Sequence, residues 1–219
     1  MARAQDLALA EGLRNTRSTL ARWHADRWAV LREWTLGSLL VSMLLLGATY
    51  VVAKLTTPDL AGVYLAGLTS HADLEDVGFV LFKNSLVLAL HAMACVAGFI
   101  AGSSLPLVAE RYTGVWRWVH DRAGPLAILF VMAATIFSLT TQAYILGSQA
   151  STLADQLGLS ESELILGLAP HAVPELFALF LPLAAWTMAS RRGRWEELLA
   201  ATFVTVGVAI PLLLGAAAV

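Results

Sequence analysis

The sequence predicts an all-α fold: a polytopic membrane helix bundle of five transmembrane helices, N-terminus in the cytoplasm and C-terminus outside. Three observations carry this expectation. First, 58% of the residues are hydrophobic and 14% charged, with a mean hydropathy of +0.71. A soluble domain is nearer roughly 45–50% apolar and 25% charged. Second, five apolar runs, at about 35–55, 80–103, 124–147, 170–189 and 198–219, approach the ~20 residues that cross a bilayer core. Third, arginine is segregated: six precede the first run, three lie in 104–123, three follow the fourth run, and the other two connections have none. By the positive-inside rule the arginine-rich ends face the cytoplasm. Lys54 and Lys83 sit at segment ends, where they can snorkel. Trp23, Trp28, Trp34, Trp116, Trp118, Trp186 and Trp195 all fall on or near the same interface, an independent sign of the same topology.

Residues 1–34 are mixed-charge and helix-favouring. Leu9, Leu13, Thr16, Leu20, Trp23, Arg27, Leu31 and Trp34 recur at spacings of three and four. The expectation is a cytoplasmic amphipathic or interfacial helix that lays this stripe on the membrane domain, 35–219, or on headgroups. A coiled-coil docking helix is the alternative, but it wants three or four clean heptads. The stretch is charged and holds no 7–15-residue apolar h-region, so the first run is expected to act as an uncleaved signal anchor.

Residues 56–78 read as a loop with acidic Asp59, Asp73, Glu75 and Asp76, and Ser70 with Asp73 has capping-box-like spacing. The second run carries Asn84, His91 and the single cysteine, Cys95, so no intrachain disulfide forms. Ala94, Gly98 and Gly102 stand at four-residue intervals, a small-residue face that lets another helix come close. Residues 104–123 form a basic, aromatic loop, and the third run holds Thr140, Thr141 and Gln142 near its outer end.

The connection 148–163 is acidic. Ser160 and Glu163 form a capping box ahead of Leu164, so a short helix starts there. Pro170 pushes Ala169 toward extended backbone and Pro174 removes a donor. That short helix is therefore expected to stop near Ala169, and a new one to begin around Pro170. Irregular backbone at membrane depth lines cavities or lies buried in protein, and broken helices recur at transporter sites.

Depth singles out a polar constellation. His171 and Glu175, four residues apart, share one helix face. At 1.5 Å per residue, Asn84, Gln142, His171 and Glu175 from three segments reach one level in the outer half. His91 lies two turns deeper on the Asn84 face. Ionisable groups at that depth are functional-site candidates. Equally, polar side chains commonly tie membrane helices together. Residue types in His91, His171 and Glu175 suit a metal, but only the four-residue pair has fitting spacing, so no metal or cofactor is expected. No HExxH, GxSxG, Walker A or GxGxxG motif is present, and an enzyme is not expected.

Phe82-Lys83-Asn84-Ser85, Gly98 and Gly102, Tyr144-Ile145-Leu146-Gly147 and Pro170-His171-Ala172-Val173-Pro174-Glu175-Leu176 together resemble the stage II sporulation protein M family, over about residues 80–190. Five spans in a chain of this length fit that family too. Three positions depart from its pattern: Gln142-Ala143 for the usual Asn-Gly, Ala172 for Gly, and Pro174 for Leu. The resemblance implies a multi-pass protein of the bacterial inner membrane, whose sporulation member scaffolds peptidoglycan-remodelling enzymes.

Two functions follow as expectations. One is a homo-oligomeric scaffold in the lipid bilayer for envelope or peptidoglycan-remodelling partners; nothing in the sequence points to nucleic acid. The other is a transporter or channel-like protein with an outward-facing site around Glu175.

Overall fold

The computed structural model describes residues 2–59, 74–105 and 109–217. Among them every regular element is helical. The order is α1 (Ala2–Ala25), α2 (Arg27–Leu55), α3 (Leu74–Phe99) running into a π-turn (Ile100–Ser104), α4 (Gly114–Asp121), α5 (Ala123–Leu157), α6 (Glu161–Arg191), a 3-10 turn (Trp195–Glu197) and α7 (Leu198–Ala216). Five of these stretches are long and apolar enough to cross a membrane, one for each run read from the sequence. The chain is a multi-pass membrane helix bundle. The capping-box-like Ser70 and Asp73 lie outside the described residues.

The bundle is organised around α6. Every residue from Ala178 to Trp186 is buried, as expected of a helix that is apolar all round. α2, α3 and α7 pack directly on it, whereas α5 lies mainly on α2. Consequently α5 turns much of its surface outward, with Leu129, Phe130 and Phe137 exposed.

α6 corrects the broken-helix expectation. It starts at the capping box, where Ser160 Oγ accepts from the Glu163 backbone N–H at 3.2 Å and Glu163 Oε2 accepts from the Ser160 N–H at 2.9 Å. It then continues through Pro170, Pro174 and Pro182 without a break. The physical reason is the solvent. Each proline removes one backbone bond, while a break in hydrocarbon orphans several N–H and C=O groups at once.

α5 corrects a second expectation. It does not stop at Gly147 but runs on to Leu157, ending at Gly158 in the left-handed conformation (φ +65°). The polar extension caps the arginine-poor end of α2: Ser151 Oγ donates to the Thr56 carbonyl at 2.8 Å, and the Asp59 N–H donates to Thr152 Oγ1 at 3.0 Å. Lys54 and Glu161, 2.8 Å apart, close the same end between α2 and α6.

The small-residue face of α3 is real, but what it admits is side chains. A β-carbon on Gly98 would lie 2.7 Å from Trp186 Nε1, and one on Gly102 would collide with the Trp195 indole. Two of the tryptophans near the arginine-rich end are turned into the protein: Trp186 is 2% exposed in the core, and Trp34, 5% exposed, packs edge-on against Trp23. Trp28, Trp116 and Trp118 are exposed, as interfacial tryptophans should be.

α1 packs on the arginine-rich end of the bundle. Gly12 faces Phe99 and Leu199, Thr19 is buried, and Arg22 reaches Glu197 at 3.4 Å. Beside it Arg192 grips Glu33 with both fork nitrogens, Nη1 to Oε2 at 2.7 Å and Nη2 to Oε1 at 2.9 Å. That two-point geometry is the form of surface ion pair that holds a fixed arrangement.

Candidate functional site

α3 and α6 both run inward from the arginine-poor end, so residues descending one descend the other. Asn84 Nδ2 donates to Glu175 Oε1 at 2.8 Å. His171 Nε2, one turn above Glu175 on α6, lies 3.0 Å from the other oxygen, Oε2. Each carboxylate oxygen therefore has a side-chain nitrogen of the chain within 3.0 Å. The cluster is half-open: the side chains of His171 and Glu175 are 42% and 20% exposed.

His91 belongs to the same face of α3 but to a different contact. Its Nδ1 lies 2.9 Å from the Leu179 carbonyl. A carbonyl only accepts, so Nδ1 carries the proton and the ring is fixed in orientation. The ring also packs at 5.7 Å, tilted, against Phe180. Four residues on, Cys95 Sγ donates to the Pro182 carbonyl at 3.4 Å. From the opposite side Ser38 Oγ of α2 donates to the Phe177 carbonyl at 2.6 Å.

These contacts form a ladder. Asn84, His91 and Cys95 meet α6 at Glu175, Leu179 and Pro182 in descending order, and Ser38 joins from α2. The three carbonyls they engage, of Phe177, Leu179 and Pro182, flank the Ala178 carbonyl that Pro182 leaves without its usual partner. They tie α2 and α3 to α6 across that turn, as polar side chains commonly tie membrane helices.

Gln142 does not join the cluster. Its Nε2 donates to Ser138 Oγ at 3.0 Å, one turn back on its own helix. Matching depth was correct as arithmetic, but α5 packs mainly on α2 rather than against α3 and α6, so the amide faces away. No group of three or more His, Cys, Asp or Glu side chains suited to a metal occurs among the described residues.

Sequence reasoning singled out Asn84, His91, His171 and Glu175 and missed Ser38. The signal was there: Ser38 and Ser42 stand one turn apart in an apolar run, and both are fully buried. Ser42 Oγ donates to the Ser38 carbonyl at 2.9 Å, within its own helix.

No family model matches this chain. Comparison with curated proteins and with solved structures likewise finds no match. The functional reading therefore rests on the residues.

If Asn84 and Glu175 tie α3 to α6, their energies are coupled. A double-mutant cycle of Asn84→Ala and Glu175→Gln, read as unfolding in detergent micelles, should give a coupling of about 0.6–1.7 kcal/mol, the range for hydrogen bonds between membrane helices. Additive effects of the two substitutions would dissolve the tie.

Proposed function

We propose that this protein is a scaffold subunit of a bacterial inner membrane, holding envelope or peptidoglycan-remodelling partners, and that the Glu175 cluster ties its helices. One observation carries the reading: each oxygen of the Glu175 carboxylate has a side-chain nitrogen of the chain against it, Asn84 Nδ2 and His171 Nε2, at the head of a ladder of contacts that joins α3 to α6. A solute site needs donors or acceptors held free for the solute, and the most conspicuous candidate here is already occupied by the chain. The continuous α6 also removes the broken backbone that argued for transport.

Two further features support a scaffold. α5 presents a long apolar flank, with Phe130, Ile136 and Phe137 exposed, suited to lipid or to a second copy of the chain. The resemblance of 80–190 to the stage II sporulation protein M family points to cell-wall enzymes as the partner class.

Transport is the second reading, favoured by the exposure of His171 beside Glu175. A half-open acid–histidine pair in the outer half is reachable from outside.

Affinity isolation from native membranes, extracted in lipid-preserving polymer and analysed by mass, tests the scaffold. The expected result is a complex of fixed stoichiometry with a peptidoglycan hydrolase or synthase, unchanged by Glu175→Gln. Recovery of the chain with lipid alone would count against it.

A further inference from the structure

α2 and α5 part toward the arginine-rich end, and the floor between them is α6. The result is a groove of 590 Å³ lined by apolar side chains, among them Val41 of α2, Ile128, Met132 and Leu139 of α5, and Leu183 and Ala184 of α6. Along α5 it extends from Ile128 to Leu139, about 16 Å at the helical rise. One leaflet of a ~30 Å hydrocarbon core has nearly that depth.

The groove ends on polar groups. Arg191 lines its arginine-rich mouth and is exposed. Its neighbours are committed: Arg192 to Glu33, and Arg194 and Arg22 to Glu197. Among the described residues Arg191 has no ion pair. Ser190 beside it is 7% exposed and its Oγ is buried, so the polar group the mouth offers is the guanidinium. An unpaired cation at the headgroup end of a leaflet-deep apolar groove matches one chemistry.

We propose that this groove is a binding site for an anionic phospholipid of the cytoplasmic leaflet, with an acyl chain along α5 and the phosphate on Arg191. A bare apolar flank would accept any tail. The cation makes the site selective for headgroup charge, since a lysine or arginine near the surface contributes a measurable attraction to anionic lipid. A second copy of the chain is the competing occupant, and the leaflet-deep length of the groove with its cation at the headgroup end favours the lipid.

Native mass spectrometry of the full chain, released from detergent with added phosphatidylglycerol or phosphatidylcholine, tests the site through two variants. Wild type should retain phosphatidylglycerol over phosphatidylcholine. Arg191→Gln should reduce phosphatidylglycerol retention about five-fold and leave phosphatidylcholine unchanged. Thr135→Phe, which puts a ring into the groove, should lower retention of both lipids. Arg111→Gln, an exposed arginine on the same side, should behave as wild type, and melting without added lipid should match wild type for Arg191→Gln. Equal phosphatidylglycerol retention in wild type and Arg191→Gln overturns the proposal. So does a Thr135→Phe protein that keeps its lipid but loses an oligomer, because the occupant is then another copy.

Discussion

Trp186→Ala is expected to cost about 3–5 kcal/mol, the range for removing a buried aromatic side chain. The indole is 2% exposed at the centre of the largest buried cluster, among Cys95, Phe99, Phe180, Leu183 and Leu198. It sits where α6, α3 and α7 converge, in a seat that exists only because residue 98 lacks a side chain. Hydrophobic transfer contributes little inside a membrane, so the loss is one of packing contacts and of the cavity left behind. The indole Nε1 has no hydrogen-bond partner. Trp186→Phe removes that unsatisfied donor while keeping most of the ring, and should therefore cost much less than the alanine variant. Gly98→Ala approaches the same contact from the other helix, placing a methyl 2.7 Å from Nε1 and 2.8 Å from Leu198 Cδ1. It should destabilise by about 1–3 kcal/mol through overpacking. Denaturant titration in micelles, followed by near-ultraviolet circular dichroism, ranks the three. A Trp186→Ala protein that unfolds with the wild type would remove this convergence from the account.

Gly147→Val carries the second large effect, about 3 kcal/mol, at the upper end of the overpacking range. A β-carbon at residue 147 would stand 2.5 Å from Val52 Cβ and 2.8 Å from the Thr49 carbonyl oxygen. The second contact is backbone, so no rotamer change in α2 relieves it, and the two helices must separate. Separation also strains the bonds just beyond, from Ser151 to the Thr56 carbonyl and from the Asp59 N–H to Thr152. Pairing Gly147→Ala with Val52→Ala removes only the Val52 Cγ1 contact at 2.6 Å. It should restore part of the loss, while the retained Cβ and the Thr49 carbonyl keep the rest. Full restoration would mean that only the outer part of the side chain opposes the β-carbon. The readout is again unfolding in micelles, with protease cleavage of the connections at the arginine-poor end as a local report.

Much of the fold was legible because lipid narrows the choices. An apolar run of span length has to be helical. The Ser160–Glu163 cap was legible for a different reason: it depends only on residues three apart. What failed were inferences that need neighbours. Pro170 and Pro174 looked like a break because their cost is known from water, where a released carbonyl finds a solvent partner; in hydrocarbon the continuous helix is cheaper. Gln142 was placed with Glu175 by depth, yet depth does not say which way a helix faces, and α5 faces α2. Ala94, Gly98 and Gly102 announced a close approach without saying that indoles fill it. For the site, the Asn84–Glu175–His171 contact followed from spacing and topology. The ladder below it did not, because Ser38, His91 and Cys95 bind carbonyls, and carbonyls leave no mark in a sequence.

Glu175 is proposed to tie helices in a scaffold and to move no solute. Proteoliposomes containing wild type or Glu175→Gln, assayed side by side for proton and monovalent-cation flux under an imposed gradient, test it most directly. The account predicts that both proteins leak no faster than empty liposomes, while Glu175→Gln unfolds at lower denaturant than wild type. Flux through the wild type that Glu175→Gln abolishes would contradict it and make the same carboxylate a transport site.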